Sequence, residues 1–298
     1  MTAPGRSDWL SVLTLGLVWG GTFMVISVAL EGYGPLTVAC ARTTLGAVAL
    51  TALALGMGKR LPAGSLRLWV IVAGAGLLST AVPFVLLSWG QQHVPSAFAG
   101  ISMAAVPLFV LPLAHLFSDE PLVLRKATGV SVGFAGALVL IGPGLASLGQ
   151  GAEPLAQLAC IGAAASYAVA SILTRNCPPI DPLVLAALSL VVGAAVLIPV
   201  TLAVEGVPGW AGPRAGSALL FLGLVPTALA TLLRTRVIRS AGSVFMTLVN
   251  YQVPVWSMAL GALILSEELP WRFFAALTLI LTGLFISQAP SLRRLLSS

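Results

Sequence analysis

The chain has 298 residues, of which 58% are hydrophobic and only 8% charged, with a mean hydropathy of +1.03. A soluble domain carries about 25% charged residues, so a soluble fold is excluded. The net charge of +6 does not imply nucleic acid, because no basic patch interleaved with aromatics accompanies it.

Apolar stretches of about 18 residues or more, long enough to cross a bilayer as helix, follow one another along the chain. The first, 9–30, contains Trp19-Gly20. It exceeds the about 7–15 residues of a signal-peptide core, so it is read as a spanning helix. Gly32-Tyr33-Gly34-Pro35 breaks the chain before the second span, 35–56, which holds Arg42. Lys59-Arg60-Leu61-Pro62 then leads to the third, 68–90, with Phe84 and Pro83. The fourth, 96–117, carries Ser102, Met103 and Pro107, and the fifth covers 122–142. The sixth, 154–174, contains Tyr167 and ends before Pro178-Pro179. Spans at 182–203, 216–236, 243–264 and 271–289 complete the set, and the ninth carries Asn250-Tyr251-Gln252 ahead of Pro254. A membrane β-barrel would need strands of about ten residues with alternating polarity, whereas Ala47–Leu55 is apolar on every side. The fold expected is therefore an all-α membrane protein of ten transmembrane helices.

These ten spans read as five written twice. A single shift of 147 residues places Pro107 on Pro254 and Glu120 on Glu267. The same shift aligns Pro35-Leu36 with Pro182-Leu183, Gly46 with Gly193, Ser96 with Ser243, Arg125 with Arg272, Gly136 with Gly283 and Pro143 with Pro290. Near Pro83 and Pro226 the register slips by about one helical turn. Two repeats are expected, 1–145 and 146–298, forming one membrane domain. With ten helices, the side holding both termini collects twelve Lys and Arg residues and the opposite side only Arg214 and Arg272. Both termini are therefore expected in the cytoplasm, which also accounts for the net charge. Five crossings per half turn the second copy upside down, and inverted repeats are the architecture of secondary transporters with a midplane site. An inverted-repeat channel or a non-transporting scaffold shares this architecture.

The chain resembles the drug/metabolite transporter superfamily, specifically the ten-helix EamA-type carriers. The resemblance covers nearly the whole sequence. It rests on Trp19-Gly20, Arg42 and the series Pro107, Glu120, Gly129 and Gly136, which recurs as Pro254, Glu267, Ala276 and Gly283. Ala276 departs from the pattern, where glycine is expected. The resemblance implies a multi-pass protein of the bacterial inner membrane that exports small metabolites. Within the group the chain is similar to the broad-specificity exporters of neutral and aromatic amino acids.

Candidate site residues are the polar and aromatic side chains inside spans. Arg42 is the one charge well inside a predicted helix, about seven residues or roughly 10 Å from its end. Such a charge points to function, and its planar fork suits a carboxylate. Snorkelling to the interface or bonding to backbone carbonyls would also accommodate it. Asn250, Tyr251 and Gln252 form the densest polar cluster in any span. Pro254 frees the carbonyl one turn earlier, so a kinked, wet helix face is one reading and inter-helix bonding the other. Ser102 and Met103 occupy the matching stretch of the fourth span. Trp19, Phe84 and Tyr167 lie deep and are candidates for an aromatic wall, whereas Trp9, Trp69, Trp210 and Trp271 sit at span ends as an interfacial belt. The expected substrate-binding set is thus Trp19, Arg42, Phe84, Ser102, Met103, Tyr167, Asn250, Tyr251 and Gln252. Gly129, Gly133 and Gly136 are expected to form a packing seam.

What is missing narrows the chemistry. No Asp or Glu lies near the centre of a span, and His93 and His115 fall near span ends. A proton relay is therefore not demanded, and uniport fits. No pair of intramembrane Asp, no metal-ligand spacing and no phosphate-cradling glycine loop is present, so no enzyme, cofactor, metal or ATPase subunit is expected. Cys40, Cys160 and Cys177 suggest no structural disulfide. The expected partners are a small-molecule substrate and the lipid bilayer. Because the duplication already supplies a pseudo-dimer, a monomer is expected. Efflux of cationic drugs is the alternative transport reading.

Overall fold

A computed structural model describes residues 5–62, 65–117, 123–146, 151–241, 243–246 and 248–296. Among them every regular element is helical. Helix α1 is Arg6–Leu30, α2 Pro35–Gly56, α3 Leu66–Gly90, α4 Ser96–Phe117 and α5 Leu124–Ala146. In the second half, α6 is Glu153–Arg175, α7 Pro182–Val204 and α8 Pro213–Arg234, which continues as helix to Ala241. Helix α9 is described over Ser243–Met246 and Val249–Leu265, and α10 is Trp271–Leu296. Nine helices among the described residues are long and apolar enough to cross a membrane, and Val249–Leu265 of α9 is a shorter apolar helix at the tenth expected span. Glu120, whose counterpart is Glu267, lies outside the described residues.

The repeat is visible in local structure. Helices α3 and α8 each widen into a π-helical stretch, Leu77–Ala81 and Gly223–Leu229. The 147-residue shift carries 77–81 onto 224–228, and Thr80 onto Thr227. No register slip is therefore needed here: Pro83 and Pro226 occupy different turns around equivalent irregular segments.

Helices pair where small residues let backbones touch. In α5 and α10, a Cβ on Gly129 would lie 2.5 Å from the Gly283 carbonyl oxygen, and one on Gly283 would lie 2.5 Å from the Gly133 nitrogen. Such contact carries association in lipid, where burying apolar area gives no drive. Of the expected seam, Gly129 and Gly136 face α10 at Gly283 and Ala276, while a Cβ on Gly133 would meet Leu108 of α4. Helix α1 packs on α9 in the same manner, Gly20 lying under Trp256 and Gly16 under Gln252. Helices α2 and α7 form the third pair.

Helix α4 bends between Met103 and Val106, just ahead of Pro107. Its first half packs on α9, with Ser257 donating to the Ser96 carbonyl oxygen at 3.0 Å. Its second half turns onto α6. Helices α4 and α9 are thus joined at the face distal from the termini and part company toward the face near them.

That distal face carries two caps delivered in trans. Glu205, just after α7, accepts from the Leu36 and Thr37 amides at the start of α2, at 2.9 and 2.8 Å. Glu267, just after α9, accepts from the Ser96 and Ala97 amides at the start of α4, at 2.7 and 3.1 Å. Each carboxylate satisfies two amides that a helix start leaves unpaired. Gly34 and Gly261 make room: a Cβ on either would lie 2.4 Å from a capping carboxylate oxygen. On the opposite face the shift places Asp181 where α2 has Gly34. Asp181 caps its own helix at Leu183 N and pairs with Lys59 at 2.7 Å.

Candidate functional site

The candidate site is assembled around Arg42, 8% exposed, two turns into α2. Its neighbours exist because α8 is irregular. Pro226 has no N–H to offer, which frees the carbonyl four residues earlier, at Leu222. The Thr227 hydroxyl takes that carbonyl at 2.8 Å and in turn accepts from Arg42 Nε at 3.0 Å. This short relay polarises each member in the same direction. The guanidinium carbon lies 3.9 Å from the centroid of the Phe84 ring, a cation–π contact supplied by α3.

Trp19 from α1 reaches the residue next to Thr227. Its indole N–H donates to the Pro226 carbonyl oxygen at 3.0 Å. A related contact, one residue out of register, exists in the other half, where Ser166 donates to the Leu78 carbonyl oxygen at 2.8 Å. Each is a side chain from the first helix of one repeat satisfying the π-helix of the other. Tyr167 from α6 packs on the small apolar cluster that contains Phe84. Four expected residues, Trp19, Arg42, Phe84 and Tyr167, therefore converge from α1, α2, α3 and α6, although their nearest pair in sequence is 23 residues apart.

Arg42 forms no ion pair among the described residues, and only its Nε is hydrogen-bonded. The two terminal nitrogens are left as a planar fork of donors, the geometry that takes a carboxylate in bidentate fashion. Among the described residues no group of three or more His, Cys, Asp or Glu is placed to hold a metal.

The remaining expected residues are distributed differently. Ser102 is fully buried and donates to the Phe98 carbonyl of its own helix at 2.9 Å. Met103, partly buried, packs against the main apolar cluster at the bend of α4. Gln252 lies against Gly16 of α1, with Nε2 donating to the Leu248 carbonyl at 3.4 Å and Oε1 buried without a partner. The Tyr251 hydroxyl is likewise buried without a partner. Asn250 is exposed to the space outside the helix bundle's contacts. Sequence reasoning passed over Thr227, the hinge of the relay; its signal was the shift that equates it with Thr80, beside a proline inside a span.

Comparison with known proteins places this geometry among relatives. A model of the EamA-like transporter family matches residues 8–142 and again 154–288. The chain is 29% identical over 225 residues to a protein of Streptantibioticus cattleyicolor named "Probable terminal-alkyne amino-acid exporter", covering 75% of this chain and 73% of that one. It is 25% identical over 293 residues to an uncharacterized transporter, YoaV, of Bacillus subtilis, covering 96% and 98%. Over 131 residues it is 34% identical to the uncharacterized inner membrane transporter YedA of Escherichia coli K12, covering 44% and 42%. A solved crystal structure superposes with a TM-score of 0.66 at 21% identity over 96% of this chain and 98% of that one, a likeness of fold.

Proposed function

Because the chain belongs to the EamA-like transporter family, we propose that it exports neutral and aromatic L-amino acids with broad specificity, by alternating access between two inverted repeats. In this reading both termini lie in the cytoplasm, the membrane is the bacterial inner membrane and the working unit is a monomer. The observation that carries the proposal is the unpaired fork of Arg42, a residue only 8% exposed, set against Phe84, with Tyr167 and Trp19 nearby. A fork of this kind recognises the substrate carboxylate, and the aromatic faces accept an apolar or aromatic side chain. The name of the Streptantibioticus relative supports the substrate class. An uncompensated cation at the centre of the site disfavours cationic drugs, which would need an acid in its place.

The test is uptake of radiolabelled phenylalanine, threonine and a cationic dye into proteoliposomes, with and without a pH gradient. Saturable amino-acid flux without the gradient is the expected result and supports uniport. Flux of the dye alone transfers the protein to drug efflux, and no flux of any kind gives it a scaffold role.

A further inference from the structure

A second polar site lies on the distal face, away from Arg42. A cleft of about 390 Å³ opens between the α3–α4 connection, the start of α6 and the α9–α10 connection. Glu153, Gln157, Glu268 and Arg272 line it, over the apolar surface of Phe98 and Phe273. These two rings meet edge to face with centroids 6.0 Å apart. The volume suits one small molecule.

The charges in this cleft lack ion-pair partners, and the Arg272 guanidinium carbon lies 5.7 Å from the centroid of the Phe273 ring. Among the described residues neither Arg272 nor Glu153 nor Glu268 forms an ion pair, although all three line the same space. Gln157 is 1% exposed; one end of its amide donates to Glu153 Oε1 at 3.0 Å, while its own Oε1 is buried without a partner. Arg272 Nε is also buried without a partner. Orphaned polar atoms of both kinds, donor and acceptor, are costly and call for a ligand or water that satisfies them. His93 completes the rim, its ring edge-on to Trp89 at 5.4 Å.

We propose that this cleft binds a zwitterionic α-amino acid with an apolar side chain, as a second site where the exported substrate pauses on the distal face. Arg272 takes the carboxylate, Glu268 and Glu153 take the ammonium, and the side chain lies on Phe98 and Phe273. A simple anion would face two carboxylates, and a simple cation would face Arg272; only a group carrying both charges answers the whole cleft. The substrate class rests on the export reading above, but the site itself does not include Arg42. A phosphatidylethanolamine headgroup shares the zwitterionic chemistry, and the test separates the two sources.

The experiment measures binding of radiolabelled phenylalanine to the full chain in nanodiscs of phosphatidylcholine and phosphatidylglycerol. Arg42→Gln, which removes the central fork, is expected to leave one saturable site. On that background Arg272→Gln and Glu268→Gln should each weaken binding by about tenfold or more, the scale of a lost charge-assisted contact, while Arg272→Lys retains most of it. Phenylpropionate and phenethylamine, each lacking one charge, should compete at least about tenfold less well than phenylalanine. Unchanged affinity in Arg272→Gln, or equal competition by all three compounds, overturns the proposal. Stronger displacement by phosphoethanolamine than by unlabelled phenylalanine overturns it in favour of a lipid headgroup. Failure of wild-type transport would remove the export reading while leaving this binding result intact; loss of the binding with transport intact removes the cleft alone.

Discussion

The guanidinium of Arg42 meets one hydroxyl, one aromatic face and no carboxylate. Its charge is affordable inside a helix bundle because Thr227 passes polarisation on to the carbonyl that Pro226 releases. Arg42→Gln is expected to cut phenylalanine flux in proteoliposomes by about 10–100-fold, and Arg42→Lys to fall between, since an ammonium keeps the charge without the planar fork. Equal flux in Arg42→Gln and wild type would remove Arg42 from the substrate path. At this scale the sequence was informative about residue type: an arginine among apolar neighbours is conspicuous. It carried no signal that Ser102 turns onto its own helix, because a serine within a helix bonds its own backbone or a neighbouring helix equally well.

Elements are held by caps that cross between repeats. Glu267 satisfies the Ser96 and Ala97 amides, and Glu205 the Leu36 and Thr37 amides, so two helices of the first repeat are pinned by acids of the second. Glu267→Ala is expected to cost about 0.5–2 kcal/mol, the usual loss of a helix cap, seen as a lower melting temperature in detergent; Glu267→Gln, which keeps an acceptor, should lose less. The opposite face uses Asp181 with Lys59, whose hydrogen bond holds the Asp181 carboxyl below the usual carboxylate range. A depressed folded value means the pair stabilises above the unfolded value of about 3.9 and is lost as pH falls through the folded value. Lys59→Ala should therefore melt below wild type near neutral pH, with the gap closing as pH drops through about 4; a gap independent of pH would show that the pair contributes nothing through charge. Glu267 was legible as a repeat marker, pairing with Glu120 at one shift, whereas Glu205 falls on Gly58 and was not. The role of the two as caps was not legible either, because each acts on a helix start about 170 residues away.

For the whole molecule, α4 and α9 are joined through their distal halves and diverge below the α4 bend, an arrangement that the proposed alternating access requires of one of its two states. In the export reading proposed above, Asn250, exposed on α9, lines the path from the near side. In a background free of Cys40, Cys160 and Cys177, Asn250→Cys should react with a charged thiol reagent supplied at the terminus face, and phenylalanine should slow the reaction. Ser102→Cys, at a position that is 0% exposed, should stay unreactive. Labelling of neither variant would turn Asn250 toward lipid.

The sequence by itself determined that the chain is a membrane protein, that it has ten spans and that they form two copies of five, because hydropathy and a constant shift are properties of short segments read in order. It also singled out Trp19, Arg42, Phe84 and Tyr167 as polar or aromatic side chains inside spans. Only the tertiary structure decided that these four meet, that Thr227 joins them from 185 residues beyond Arg42, and that the distal cleft gathers charges of both signs. The physical reason is that helices apolar on every side, facing lipid on one flank and protein on the other, carry little periodic contrast to mark which face turns inward. Where backbones touch at glycines, packing chooses the partner, and that choice is made by shape between segments far apart in the chain.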